Sequence, residues 1–201
     1  HEQKITEAPS SVSVVTRDDI EKFGYRTLSD ILRSVRGLYV SYDEIYNFIG
    51  IRGVNRPGDY GGRTLMMIDG HRMNDPLYGQ AFNGYDLPLD VDLIERVEVI
   101  RGPGSSLYGN NAALGVINIV TREAKSWHGI EASMSGASHE TFAGRLTYGR
   151  EFTNGMKLLL SGSLMDSEGR DAIYYPEFAG IDGGVSRGMD GERAHSLFGK
   201  L

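Results

Sequence analysis

The sequence predicts an α+β unit, a short mixed sheet with small helices over residues 1–123, followed by antiparallel strands over residues 124–201. Three observations carry this reading. Residues 93–121, LIERVEVIRGPGSSLYGNNAALGVINIVT, read as a strand, a glycine-rich turn and a second strand. Upstream, two Thr-x-x-Asp patterns open short apolar-periodic segments, as capped helices do. Beyond residue 125 the pattern changes to long runs that alternate apolar and polar side chains, the period of strands with one face in each environment.

In chain order, Val12, Val14 and Val15 form a short strand after Pro9. Thr16 and Thr27, each three residues before an aspartate, start helices over 17–23 and 28–35 that end at Gly24 and Gly37. Leu28, Ile31, Leu32 and Val35 recur at helical spacing, a stripe read as core packing. Strands follow at 38–41 and 49–54, separated by an aromatic and polar stretch at 42–48. Residues 56–62 (RPGDYGG) make a turn, and the apolar strand 64–68 closes through Asp69-Gly70 into 71–73. A longer loop, 74–88, carries Tyr78, Phe82 and Tyr85. In the terminal pair, Val97 and Val99 alternate with Arg96 and Glu98. Ser105 and Ser106 open one helical turn that Gly109 stops, and 115–121 alternates again.

That glycine-rich turn invites two phosphate-binding readings, and neither has the residues it needs. Gly102-x-Gly104 begins a dinucleotide fingerprint, but Leu107 stands at the third glycine position, and the chain to Val116 is too short for a crossover helix with its loops. Gly104 and Gly109 have P-loop spacing, yet Asn110-Asn111 replaces the Lys-Ser/Thr pair that reaches the terminal phosphate and its metal. Composition narrows the classes further. Net charge is −6, against general nucleic-acid binding. With no cysteine there is no disulfide framework or thiolate metal site. Among the 5 histidines no spacing suggests a catalytic triad or metal cluster, and a lone His71 near Asp75 beside a hairpin reads as structural. No apolar run reaches the roughly 20 residues of a membrane helix, and no signal peptide is visible before residue 1, as in a mature or trimmed product. The 27 glycines favour a turn-rich β protein over a helical bundle.

In the second part, Ile130, Ala132 and Met134 alternate with Glu131, Ser133 and Ser135. Phe142, Leu146, Tyr148 and Phe152 alternate with Arg145, Thr147 and Glu151, and Met156, Leu158, Leu160 and Leu164 with Lys157, Ser161 and Ser163. These runs approach the about 9–11 residues of a tilted membrane strand with one lipid face. Trp127 and Tyr148 are candidates for an interfacial aromatic girdle. Ser138-His139-Glu140 and Asn154-Gly155 mark short turns, whereas 167–192 is a long glycine-rich loop, expected to be exposed and functional, before a last strand at 193–201.

The stretch IERVEVIRGPGSSLYGNNAALGVINIVT closely resembles the C-terminal signature of the plug domain of TonB-dependent outer-membrane transporters. VSVVTRDDIEKFG, TLSDILRSVRGLYV, IGIRGV and LMMIDGHRMNDP resemble the family's successive motifs, so that the likeness covers residues 8–122. It implies a plug followed by the first strands and an extracellular loop of an incomplete transmembrane β-barrel. Four strands cannot close a barrel of roughly 22 strands, so the chain is expected to be a fragment that alone would expose apolar faces and self-associate. The implied activity is TonB-dependent import of a ferric siderophore, cobalamin or haem across the outer membrane of a Gram-negative bacterium, with the plug gating the lumen. The signature is most like the cobalamin-receptor branch. The alternative is a non-transporting receptor that signals or serves as an adhesin or a phage or colicin site. No enzymatic chemistry, catalytic residue, metal site or cofactor is expected. The implied partners are outer-membrane lipid, a metal-chelate or cobalamin-type ligand, and TonB, through a TonB box expected upstream of residue 1. Candidate ligand contacts are the loop residues Tyr46, Asn47, Arg56, Tyr60, Tyr78, Phe82 and Tyr85, whose aromatic and guanidinium groups suit a bulky planar or anionic complex. Arg52, Arg96 and Arg101 sit in motif positions and are candidates for docking the plug to a polar lumen through releasable Arg–carboxylate pairs.

Overall fold

The computed structural model describes residues 11–43, 46–54, 58–127 and 129–201. The chain divides after Arg122 into two units.

In the first unit, β1 (Ser11–Thr16) leads directly into α1 (Arg17–Phe23), and α2 (Leu28–Ser34) precedes the hairpin of β2 (Leu38–Tyr42) and β3 (Asn47–Ile51). Both helices begin with reciprocal capping boxes. The Thr16 and Thr27 hydroxyls accept from the Asp19 and Asp30 amides, and those carboxylates accept in return from the threonine amides. The sequence places the second helix at 28–35; it stops at Ser34 because Val35 is already extended, although its side chain stays buried. The third strand is shorter than the expected 49–54. Arg52 and Gly53 both take positive φ, which ends the ladder at Ile51. The β2–β3 hairpin carries a close fit, in which Tyr39 lies across Gly50 and its ring occupies the space that a Cβ at position 50 would need.

The main sheet has the order β1-β6-β7-β4-β5, formed with β4 (Thr64–Ile68), β5 (His71–Arg72), β6 (Ile94–Arg101) and β7 (Gly115–Thr121). β6 and β7 are antiparallel and joined by the glycine turn with its one-turn helix α3 (Ser105–Tyr108), while β7 runs parallel to β4. An antiparallel pair has no crossover helix, so the turn lacks the topology of a dinucleotide cradle. Register brings apolar side chains into rows across the sheet. Val15, Val97, Ile119 and Ile68 form one, and Val99, Ile117 and Met66 the next, all buried. On the opposite face Leu65, Val116 and Ala112 form a second buried group, with Met67 and Ile100 against it. A central strand covered on both faces must be apolar at successive positions, which is why Val116 and Ile117 are both fully buried. Asp69 and Gly70, both at positive φ, make the tight β4–β5 turn, with the Asp69 carboxylate accepting from the Thr121 amide and hydroxyl.

The second unit is an antiparallel meander of β8 (Gly129–Ala137), β9 (Thr141–Glu151), β10 (Lys157–Ser167) and β13 (Glu192–Lys200), in the order β13-β10-β9-β8. Its register sorts most side chains by face, with exceptions that include Asp166, Arg193 and His195 on the apolar side and Leu159, Met165 and Phe198 on the polar one. Ile130, Met134, Phe142, Leu146, Leu160, Leu164 and Leu197 share one face and are exposed. The other face carries Glu131, Arg145, Thr147, Ser161, Ser163 and Ser196. There Thr147 and Ser161 share a hydrogen bond of 2.7 Å, Ser163 and Ser196 one of 2.8 Å, and Arg145 donates to Glu131 at 2.7 Å. An exposed row of large apolar side chains opposite a hydrogen-bonded polar face is the pattern of a membrane strand, wet on one side and lipid-facing on the other.

Two sequence expectations change here. The stretch 167–192 is a folded excursion rather than a plain loop: β11 (Ala172–Tyr174) pairs with β12 (Val185–Arg187), and Arg170 and Asp190 close its base at 2.9 Å. Trp127 is no girdle residue on the apolar face. It is buried, its side chain set against Gly149, with the Arg145 guanidinium 5.3 Å from the ring centre, and so lies on the polar side. Tyr148 does share the apolar face, between Ile130 and Leu160.

A mid-strand charge separates the two faces experimentally. Leu146→Arg should destabilise the membrane-inserted protein by about 2–4 kcal/mol, whereas Ser135→Arg on the polar face should cost little. Assembly yield into lipid vesicles, read by denaturant titration, checks the difference.

Candidate functional site

The first unit's loops converge on one tyrosine. Tyr60 takes a positive φ of 45° between β3 and β4. Its ring meets Tyr46 edge-on at 5.5 Å, Phe48 at 5.7 Å and Tyr78 at 6.4 Å. Phe48 is buried, Tyr60 half-buried, and Tyr46 and Tyr78 are 41% and 71% exposed. The cluster therefore grades from core to solvent. Edge-on and tilted rings at these distances attract one another, and the outer rings present flat amphipathic surfaces with hydroxyl tips. Such a surface can hold a bulky planar ligand by stacking and hydrogen bonding. Among the described residues no group of three or more His, Asp or Glu side chains is placed to hold a metal ion.

Three asparagines fix the loops that carry these rings. Asn83, buried in the 74–89 loop, accepts from the Ser29 hydroxyl at 2.6 Å and donates to the Asn47 and Ala81 carbonyls. The Asn83 carbonyl takes the Ser29 amide and hydroxyl, both at 2.7 Å, so the loop is sewn to the first turn of α2. Asn74 acts as a false strand residue beside β4: its side chain receives the Met66 amide and donates to the Thr64 and Gly79 carbonyls. Asn111 donates to the Gly62 carbonyl and accepts from Arg72. A buried network with its partners satisfied holds a loop more rigidly than exposed turns do. Near the tip, the Asp75 carboxylate accepts from the Leu77 and Tyr78 amides at 3.1 and 2.6 Å, which sets the approach of Tyr78. Those amides, Tyr78 first and Leu77 second, hold the Asp75 carboxyl below its ordinary value of 3.8.

Of the sequence candidates, Tyr46, Tyr60 and Tyr78 come together. Asn47 is half-buried and turned to the scaffold, accepting from Arg33 at 3.2 Å through its side chain and from Asn83 through its carbonyl. Phe82, half-buried, and Tyr85, exposed, flank Asn83 on the same loop. Arg56 lies outside the described residues, as do residues 1–10. Sequence reasoning missed Phe48, Ser29 and Asn83; Asn83-Gly84 between two aromatics was the available signal for a pinned loop. The docking candidates are engaged within the first unit as follows. Arg96 pairs with Glu98 at 2.7 Å. Arg52 donates to the Arg101 carbonyl at 3.2 Å, and Arg101 reaches the Ser13 hydroxyl at 2.6 Å and the Arg36 carbonyl.

Comparison with known proteins adds family evidence. The model of the TonB-dependent receptor plug domain matches residues 4–116. The vitamin B12 transporter BtuB of Vibrio vulnificus is 35% identical over 179 residues, covering 88% of this chain and 28% of the relative. The iron-regulated outer membrane virulence protein of Vibrio cholerae is 40% identical over 134 residues, covering 63% of this chain and 20% of the relative. The chain thus spans about a quarter of the length of these relatives. The solved ferric enterobactin receptor PfeA aligns with a TM-score of 0.59 and 26% identity, over 82% of this chain and 26% of its own. The ferripyoverdine receptor of the Pseudomonas aeruginosa outer membrane, at 22% identity, shares the fold with a TM-score of 0.63, over 81% of this chain and 21% of its own.

The Asp75 turn gives a pH signature. A carboxyl whose folded pKa is depressed contributes its full stabilisation above the unfolded value and loses it as pH falls through the folded one. Order at Leu77 and Tyr78 should therefore be complete above pH 3.8 and be lost only as pH falls through the lower folded value. Asp75→Ala should show the loosened loop at neutral pH. Hydrogen exchange of the 76–79 amides distinguishes the two proteins.

Proposed function

This chain belongs to the TonB-dependent receptor plug family, and from that premise we propose that it is the gating portion of an outer-membrane protein importing a scarce nutrient complex into a Gram-negative bacterium. The ligand is of the ferric siderophore, cobalamin or haem type. The observation that carries this reading is the succession within one chain of a plug-type mixed sheet and a meander whose first three strands expose Ile130, Met134, Phe142, Leu146, Leu160 and Leu164 on one face. A gate needs a rigid body that can seal a lumen, and a wall that lipid can solvate.

In this reading, ligand rests on the exposed rings of Tyr46 and Tyr78, with Tyr60 and Phe48 as their buttress. Stacking on preformed rings recognises a large, flat surface at low entropic cost because the rings are already held. Capture changes the energy of the plug, and TonB, acting on the segment before β1, draws a passage open. No bond in the ligand is made or broken, so the chain is a transporter component and not an enzyme. Docking of the plug through Arg52, Arg96 and Arg101 is part of the same proposal, and weakening of plug retention by salt is its readout. The relatives' names, a vitamin B12 transporter and receptors for ferric enterobactin and ferripyoverdine, support import over a receptor that only signals or serves phage or colicin.

Binding of cobalamin, haem and ferric siderophores to the full-length protein sorts the ligand classes. Tyr78→Ala and Tyr60→Ala should each weaken the ligand that binds by about tenfold, the scale of one aromatic contact. Unchanged affinity in both would remove the cluster from the site. Binding without energy-dependent uptake would favour the non-transporting alternative.

A further inference from the structure

The apolar face of the meander ends in a cation at its tight-turn end. Tyr148 lies on that face between Ile130 and Leu160, and Arg150 follows it along β9 on the same face, opposite Leu158. Two residues further, Phe152 opens the turn, its amide donating to the Met156 carbonyl at 2.8 Å. The Arg150 guanidinium sits 5.3 Å from the centre of the Phe152 ring. It is exposed, and among the described residues it forms no ion pair. The far end of the same face is different, because there Arg193 is neutralised by Asp166 at 2.6 Å.

The ladder leaves one side of Arg150 open. β8 begins at Gly129, opposite Gly149, so it stops one residue short of Arg150. An open recess of about 430 Å³ lies there, lined by Trp127, Tyr148, Gly149 and Arg150 together with Lys125 and Glu151. That volume is within the range of sites that hold small ligand groups. Of the two cations in its wall, Lys125 is already engaged by Glu123 at 2.9 Å. Arg150 is the one with capacity for a further anion.

A guanidinium on a lipid-facing surface keeps its charge and has to be solvated at the edge of the hydrocarbon. The Phe152 ring takes its flat face and leaves the N–H edge for acceptors, a division of labour that a lysine does not offer. Short turns mark the periplasmic end of outer-membrane barrels, where the leaflet is built of phospholipid. We infer that Arg150, stacked on Phe152, is the phosphate-binding fork of a phospholipid headgroup site, with the recess beside Tyr148 and Trp127 receiving the glycerol end. The acyl chains then run along the exposed apolar row through Tyr148 and Leu146. The inference rests on the reading of the meander as a lipid-facing wall and is independent of what the protein transports.

For the test, the full-length protein in a non-ionic detergent is titrated with dioleoyl phosphatidylglycerol. Dioleoylglycerol supplies the same chains without phosphate, and glycerol 3-phosphate supplies the headgroup without chains. Native mass spectrometry counts bound lipid, and a photoreactive phosphatidylglycerol locates it. The lipid should crosslink within 148–152, and Arg150→Gln should weaken it roughly tenfold, the scale of charge-assisted hydrogen bonds. Arg150→Lys, which keeps the charge without the fork, should fall between the two and keeps the test open if Arg150→Gln does not fold. Arg193→Gln should bind at 148–152 as the parent does. Parent affinity in both Arg150 variants overturns the site. Equal binding of dioleoylglycerol also does so, since apolar contact alone would then hold the lipid. Equal binding of glycerol 3-phosphate would make it a site for soluble phosphate and overturn the membrane assignment. Replacement of the crosslinked phospholipid by lipopolysaccharide would place the anion in the opposite leaflet and overturn it as well. Loss of energy-dependent uptake with these results intact counts against transport and leaves the headgroup site standing.

Discussion

The first unit depends on the antiparallel ladder between β6 and β7. Everything else is placed by it: β1 is hung on one side, β4 is laid parallel on the other, and the glycine turn closes the end. The ladder is tolerant at Ile94, where a bulge shifts the register, and intolerant at Gly115, where a Cβ would collide with the Ile100 carbonyl and the Ile51 side chain. The glycine is there for backbone approach, not for an anion. With the two strands that close together, the rows of side chains they carry are fixed for every neighbouring strand, and so is the arginine at the end of β6.

Local chemistry was legible and long-range chemistry was not. The capping boxes at Thr16 and Thr27, the Asp69-Gly70 turn and the alternation of the meander are set by residues a few positions apart, and each is present in the structure. The parallel pairing of β4 with β7 has no local mark, since the strands are far apart in sequence and equally apolar. Asn83 reads in sequence as a loop residue. Its burial against Ser29 follows only once α2 and the loop have been brought together. Arg101 is read from the sequence as a docking residue because it sits in a motif position; that its guanidinium also reaches the Ser13 hydroxyl and the Arg36 carbonyl is a matter of reach that spacing does not encode. Within the excursion at 168–191, the strands β11 and β12 are three residues each, too short for any periodicity to register.

The two units solve opposite solvation problems with the same period. In the plug, the central strand is covered on both faces, and polar groups are brought in only where partners wait, as Asn118 does between the Glu98 carboxylate and the Gly70 amide. In the meander, the apolar face needs no partner from the protein, while the polar face links its hydroxyls and Arg145 across strands. Glycine has different work in each. Gly50 admits a tyrosine ring, and Gly149 an indole.

The seat of Trp127 on Gly149 bears on how the wall is built. In a strand, neighbouring residues point to opposite faces, so a slip of one position would present Tyr148 or Arg150 to the ladder place now held by Gly149. Neither leaves room for an indole packed against the backbone. The pair therefore works as a gauge: it fits one alignment of β8 with β9 and not the neighbouring ones. In a wall that grows by successive hairpins, an error made at the first pairing would be inherited by every strand that follows. A tryptophan next to the start of the wall is well placed to prevent it.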